Sequence, residues 1–338
     1  MFKEKDKWLN SIKFKGDGEI SCSIGTVFSV WEKYRDRLEK IKEKCPHVSF
    51  SVSKDPIREK KNKYLDKWGC LWFYPGGYLD GQVIGHPLKD WSNFKDYKMP
   101  DPKKYVDWEE MREKFKEIRK EGKVVSGFVE HGFLYLLLTY LRGFENLMID
   151  IAEERKELEE LINKITDYWI EVVKRWIDLE VDVIYFGDDL GLQKSLPIKP
   201  SSWRKYIKPA YKKIFSFCRE NQVEVYLHTD GYVVDIIPDL IETGVSILNV
   251  QDLVNGLGNL EKLAKGKVFI DLDIDRQKIT AFGKPEEIKS HILNCIKSLG
   301  SPFGGLGLSY WASPGTPIEN IEAVFLAMEE HHNYWKRK

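Results

Sequence analysis

Gln222–Asp252, QVEVYLHTDGYVVDIIPDLIETGVSILNVQD, reads as strand, polar turn, helix and strand. Val223 to His228 alternates as a half-buried strand does and ends in His228-Thr229-Asp230-Gly231. Val233, Ile236, Ile237, Leu240 and Ile241 then recur at helical spacing, Gly244 supplies a stop, and Val245 to Val250 suits a second strand. A βαβ unit of this kind presents its chemistry at the strand end, where His228 and Asp230 stand. Side chains two apart on a strand share a face, so the backbones of His228 and Asp230 are expected roughly 6 to 7 Å apart. An imidazole and a carboxylate at that spacing can share one metal ion. Read alone, the pair is equally a strand-end histidine hydrogen-bonded to a nearby aspartate.

The surrounding chain repeats this alternation. After residue 120, Val124 to Val129 reads as a strand ending in Glu130-His131, Leu134 to Leu141 and Glu145 to Ala152 as helices, and Glu154 to Leu179 as a long amphipathic helix. Val181 to Phe186 is an apolar strand ending in Gly187-Asp188-Asp189, and Trp203 to Asn221 a helix. Beyond Asp252 come a strand Val268 to Leu272, a helix Pro285 to Leu299, a glycine-rich strand Gly304 to Ser309 and a final helix Ile318 to Trp335. Residues 1–120 are less regular, with a strand at Glu19 to Val27, a charged helix at Val30 to Lys44 and a surface helix at Trp108 to Glu121. Allowing one strand not yet located, about eight alternate with helices, which favours a (β/α)8 TIM barrel over an open sheet. A single domain over 1–338 is expected, its irregular N-terminal part (1–120) carrying an aromatic-rich insertion and its regular βα units running over 121–338.

Composition narrows the partners. Of 338 residues, 53 are Lys or Arg and 53 Asp or Glu, so no global basic field suggests nucleic acid. No G-x-G-x-x-G or G-x-x-x-x-G-K follows any strand, which removes the main support for a nucleotide-binding doubly wound fold. Cys22, Cys45, Cys70, Cys218 and Cys295 are scattered without C-x-x-C, as in a reducing cytoplasm, and the longest apolar run, Phe133 to Leu141, is too short to span a bilayer. A cytoplasmic protein free of membrane partners is the expectation.

In a barrel the carboxyl ends of the strands carry the chemistry. Here those ends hold Glu130 and His131, Asp188 and Asp189, His228 and Asp230, Asn249 and Gln251, and Asp271 and Asp273. Any one of them could be a cap or a satisfied core group, whereas five successive polar ends read as a barrel mouth. Tyr64 to Pro87, YLDKWGCLWFYPGGYLDGQVIGHP, reads as a loop or hairpin with five glycines and six aromatics, suited either to line a ligand site or to form a satellite core.

Three runs carry a family resemblance: VDVIYFGDDLGLQKSLPIKPSSWRKYIKPAYKKI (181–214), VYLHTDGYVVDIIPDLIETGVSILNVQD (225–252) and TPIENIEAVFLAM (316–328). With DKWGCLWFYPGG and HPLKDW more loosely, they resemble the uroporphyrinogen decarboxylase superfamily, and within it the cobalamin-dependent methyltransferase branch. The resemblance implies a (β/α)8 barrel with its site at the strand ends. Decarboxylases of the family carry an arginine-rich N-terminal motif that grips porphyrinogen carboxylates, and this chain has no arginine before Arg35. Thiol-charging methyltransferases hold zinc with His-x-Cys and a second cysteine near the last strand. Here Asp230 stands at the first cysteine position, and GLSYWASP (307–314) has none. An oxygen-rich set is harder and suits an oxygen-bearing substrate.

The members that take methyl groups from methoxylated aromatics therefore fit best. There, the resemblance implies, the barrel binds an aryl methyl ether and a separate corrinoid protein presents Co(I), which takes the methyl group and leaves a phenolate; zinc or a positioned acid at the ether oxygen would stabilise that charge. His228 and Asp230 are the expected metal ligands, with Glu130 or Asp189 third; without metal the same groups, His228, Asp230 and Asp189, would donate and accept hydrogen bonds. Trp72, Phe73, Tyr74, His131, Tyr310 and Trp311 are candidates for holding the substrate. The chain lacks the cobalamin-binding D-x-H-x-x-G motif, so cobalamin must arrive on the corrinoid protein. Amines, folates and thiols remain alternative methyl donors or acceptors, porphyrinogen decarboxylation an alternative reaction, and a homodimer an open assembly state.

Overall fold

The computed structural model describes residues 4–337. Eleven strands are present among them: β1 (Ser21–Val27), β2 (Val48–Ser53), β3 (Asn62–Leu65), β4 (Leu71–Tyr74), β5 (Gln82–Gly85), β6 (Ser126–His131), β7 (Val183–Gly187), β8 (Glu224–Thr229), β9 (Ile247–Gln251), β10 (Phe269–Asp273) and β11 (Leu306–Ala312). Contacts sort the chain into two compact units interleaved along the sequence. Among the described residues one holds 4–5, 61–75 and 80–246, the other 6–60, 76–79 and 247–337. In the first, β6, β7 and β8 pair in parallel; in the second, β2, β1, β11, β10 and β9 pair in parallel in that order. Eight parallel strands alternating with helices make this an α/β fold of TIM-barrel type. β2 has a ladder on one side only and so does β6, so these ladders do not by themselves close a ring.

The strand that the sequence count leaves unlocated is β2, VSFSVS, whose strict alternation buries Val48 and half-buries Phe50 and Val52. The single helix expected over Trp203 to Asn221 is two, Pro200–Tyr206 and Lys208–Glu220, parted at Ile207. Pro209 lacks an N–H, and its ring would strike the carbonyl four residues back if the turn continued. The last helix ends at His331 rather than at Trp335.

The first unit packs its sheet against Lys156–Asp178, whose Leu158, Leu161, Ile165, Trp169, Val172 and Trp176 recur at three- and four-residue steps and are fully buried. Phe133, Phe186, Tyr211 and Phe215 form a ring cluster with centroids 4.9–6.0 Å apart. Burying each phenylalanine contributes about 2–3 kcal/mol before entropy. Phe186 of β7 and the Tyr211 hydroxyl given to Asp188 set that cluster against the end of β7. Arg142 and Asp150, both buried, close a salt bridge of 2.7 Å in this unit, with the Trp91 indole N–H also given to Asp150. In the second unit Ile24, Leu38, Ile41, Phe269 and Phe325 form the fully buried centre.

Tyr64 to Pro87 is a hairpin setting as expected, an antiparallel ribbon β3-β4-β5. Its turn is built on Asp66, which accepts from the N–H groups of Trp68 and Cys70 and from the Trp72 indole. Among the described residues no helix is long and apolar enough to cross a membrane.

Candidate active site

The first unit gathers its polar groups at the carboxyl ends of β6, β7 and β8. His131 Nε2 lies 3.2 Å from Asp189 Oδ2, and His228 Nε2 lies 3.8 Å from Asp189 Oδ1 and 3.7 Å from Asp230 Oδ1. The two imidazole rings are 5.5 Å apart. One ligand atom each from His131, Asp189 and His228 falls within a 4.8 Å group, all three reachable from solvent. Two imidazoles and a carboxylate so disposed are a donor set that suits zinc.

Glu130, expected beside His228, does not join them. Phe128 pairs with Tyr185 but His131, not Glu130, pairs with Gly187, so β6 carries one extra residue near its end. A bulge of this kind reverses the facing of the residues beyond it. His131 takes the place that regular pairing would give Glu130, and Glu130 is held instead by the Lys67 ammonium and the Trp68 indole, 3.0 Å away. The sequence offers no signal for the bulge.

Two glycine contacts set the site. At Gly187 a Cβ would stand 2.5 Å from His131 Nδ1, so the imidazole lies directly on bare backbone. At Gly231, φ is +83°, and a Cβ would fall 2.2 Å from the Gly191 carbonyl oxygen. The loops after β7 and β8 thus cross backbone to backbone, pinned by Gly191 N–H to Asp230 O (3.1 Å) and Tyr232 N–H to Leu192 O (2.7 Å). That crossing fixes Asp189 against Asp230, whose N–H it accepts at 3.2 Å.

Asp188 and Asp189 are consecutive and do different work. Asp188 is fully buried and accepts from the N–H groups of Tyr135 (2.6 Å) and Leu136 (2.9 Å) and from the Tyr211 hydroxyl (2.8 Å). It caps the helix Tyr135–Arg142 from another strand, a role that the local sequence of that helix leaves empty. Burial raises its carboxyl to about 6 against those three hydrogen bonds. Burial would raise Asp189 as well, but the hydrogen bond and charge of His131, the charge of His228 and the Asp230 N–H hold it below the ordinary carboxylate value. For His131, burial favours the neutral ring and is outweighed by Asp189, aided by Asp188 and Asp230, so its pKa lies above the ordinary value. Each partner therefore favours the charged form of the other, the imidazolium and the carboxylate.

The aromatic candidates divide. Trp72 and Tyr74 share a face of the ribbon, rings 6.0 Å apart, and Trp72 meets Tyr140 edge-on at 4.9 Å. Phe73 faces away, beneath the Lys61 ammonium. Tyr140, which sequence reading passes over inside an apolar helix, sits where a Gly132 side chain would touch it, and burial with the charges of Asp188 and Asp189 raises its phenol. It links the ribbon to the strand ends. Tyr310 and Trp311 belong to the second unit, on β11, where Tyr310 is buried and the Trp311 ring covers Gly25. In that unit Asn249 gives its amide to Asp271 O and Ser309 Oγ, and Asp273 pairs with Arg276 at 2.9 Å.

Known proteins share the sequence pattern and the fold of this chain. The chain is 23% identical to uroporphyrinogen decarboxylase of Prochlorococcus marinus (strain MIT 9211), covering 90% of this chain and 89% of that one. It is 22% identical to the enzyme of that name from Synechococcus sp. (strain CC9605), with the same coverage. Its fold is shared with a solved methyltransferase from Methanosarcina mazei, at TM-score 0.70 and 18% identity over 98% of this chain and 100% of that one. The profile described as Uroporphyrinogen decarboxylase (URO-D) matches residues 74–331, the span that contains β6 to β11 and every member of the histidine and aspartate group. With that match over most of its length, the chain belongs to the uroporphyrinogen decarboxylase family.

Proposed function

We propose that this chain is a methyltransferase that demethylates methoxylated aromatic compounds, the methyl group passing to the Co(I) of a corrinoid carried by a separate protein. The observation that carries the reading is the convergence of His131, Asp189 and His228, with Asp230 beside them. In such a transfer the C–O bond breaks, the methyl carbon leaves without the bonding pair, and the pair stays on the aryl oxygen. That oxygen becomes a phenolate, a reluctant leaving group, and the barrier falls where positive charge or a proton meets it. His131, Asp189 and His228 would hold a zinc ion that supplies Lewis acidity at the ether oxygen.

The chain's own groups provide the rest. With no metal bound, His131 would instead serve as the acid: the hydrogen bond and charge of Asp189 raise its pKa and favour the protonated ring that can donate to the developing phenolate. Asp189, held ionised, orients that ring and compensates its charge. Gly187 leaves room for the Nδ1 edge of His131 against the strand, and the crossing at Gly191 and Gly231 keeps Asp189 and Asp230 from drifting. Trp72 and Tyr140 offer planar apolar surface beside the strand ends, suited to an aromatic ring. The shared fold with a methyltransferase accords with the reading.

The names of the relatives favour a second reading, porphyrinogen decarboxylation. A substrate with many carboxylates calls for free guanidinium groups, while in the first unit Arg142 is committed to Asp150. The two readings separate in one experiment: purified protein with a Co(I) corrinoid protein and a methoxybenzoate, against protein with uroporphyrinogen. Cobalt methylation that is lost by at least about 100-fold in His228→Ala and in His131→Ala, with the far-ultraviolet circular dichroism unchanged, is the expected result. Release of CO2 from uroporphyrinogen with no methylation from any ether would overturn the proposal.

A further inference from the structure

The second unit holds a separate group of metal-binding side chains. Asp252 opens the short helix Asp252–Asn255 directly after β9, and His291 and Cys295 are one turn apart on the helix Pro285–Leu299. His291 Nε2 stands 2.6 Å from Asp252 Oδ2 and 3.5 Å from Cys295 Sγ, and one ligand atom from each lies within a 4.8 Å group. Asp252 and Cys295 are wholly buried, and the His291 side chain is 10% exposed.

The obvious alternative is a thiol nucleophile activated through histidine by an acid. That relay requires the sulfur on one ring nitrogen and the carboxylate on the other. Here both approach the same nitrogen, Nε2. One nitrogen, one oxygen and one sulfur aimed at a common point describe the inner face of a coordination shell. The N to S separation of 3.5 Å is close to the roughly 3.6 Å edge between these ligands in tetrahedral zinc with Zn–N about 2.0–2.1 Å and Zn–S about 2.3 Å. The O to N separation, 2.6 Å, is that of a shared proton and would open by about 0.7 Å around zinc of that geometry.

Charge points the same way. A fully buried carboxylate is costly unless compensated, and a thiolate beside it more so; burial, with the Asp252 charge second, holds the Cys295 thiol far above its ordinary pKa. A carboxylate, a thiolate and a neutral imidazole sum to two negative charges, which a divalent cation cancels. We propose that Asp252, His291 and Cys295 form a structural site for a thiophilic divalent cation, zinc by its ligand set, tying the helix Pro285–Leu299 to the end of β9. Binding would displace the Cys295 proton to solvent and shift the His291 proton to Nδ1, and the exposed edge of His291 gives the ion its way in.

Cobalt(II) reports this site separately from the histidine and aspartate group at β6 to β8, which has no sulfur. Metal-free full-length protein titrated with cobalt(II) is expected to develop a near-ultraviolet thiolate-to-cobalt band that excess zinc abolishes. The band should persist in His228→Ala and vanish in Cys295→Ser. His291→Gln should weaken cobalt binding more than about 100-fold, since even outer-shell partners are worth 10–100-fold. No band in the unmutated protein overturns the proposal whatever the variants do. A band that survives in Cys295→Ser overturns it too, because one of the other four cysteines would then be the ligand.

Discussion

Asp188 shows how one buried side chain can organise a site that it does not enter. It satisfies two backbone donors at the start of Tyr135–Arg142 and the Tyr211 hydroxyl. Asp188→Ala leaves those donors buried without a partner, and urea unfolding should show a loss of about 3 kcal/mol. The sign of its pH dependence is set by the shift. The carboxyl titrates near 6 in the folded chain against an ordinary 3.8, so its protonation favours the folded state. The difference between wild type and Asp188→Ala is therefore greatest below pH 3.8 and shrinks as pH rises through about 6. His131 and Asp189 shift in the opposite sense to one another. The contribution of His131 is complete below its ordinary 6.5 and lost as pH rises through its higher folded value; that of Asp189 is complete above its ordinary 3.8 and lost as pH falls through its lower one. If His131 is the acid, methyl transfer should persist above pH 6.5 in the wild type, and the alkaline limb of the rate profile should move to lower pH in Asp189→Asn. An unmoved limb would remove the pair from the mechanism.

At the level of elements, what matters is how strand ends are brought into register. The extra residue in β6 puts His131 opposite Gly187, and Gly187 is bare where the imidazole lies. Gly187→Ala adds one methyl group at 2.5 Å from Nδ1, which should push the ring off the strand. Loss of about 100-fold in turnover with little change in unfolding midpoint is expected, as for an approximately 1 Å displacement of a reacting group. A fully active Gly187→Ala protein would mean that His131 is free to sit elsewhere. The bulge is invisible in the sequence because GFVEH satisfies strand propensity in either register, and only the ladder to β7 decides between Glu130 and His131. β2 is the contrary case: its alternation of Val48, Phe50 and Val52 is plain in the sequence once a strand is sought there.

For the whole molecule, the balance of 53 basic and 53 acidic residues leaves a formal net charge of zero at pH 7. Charge repulsion between copies then vanishes near neutrality, so light scattering should find self-association greatest around pH 7 and lower at pH 9, with added salt mattering least near neutral pH. A flat dependence on pH would mean that specific contacts rather than net charge govern association.

What the sequence by itself determined is the α/β class, the order of most strands and helices, and the concentration of acids and histidines at strand ends, because periodicity and turn residues are local and survive being read one residue at a time. Three local features also announced themselves that way: the His228 and Asp230 spacing, the Gly231 turn and the aromatic ribbon. Only the tertiary structure decided which acids and histidines meet. Asp188 turned from a candidate mouth residue into a buried cap because a helix from another part of the chain needed its first N–H groups satisfied. His131 displaced Glu130 because of a bulge defined by its neighbouring strand, and Asp252 met His291 and Cys295 across about forty residues of sequence. Such encounters depend on facing and distance between elements, and no local pattern in the chain encodes either.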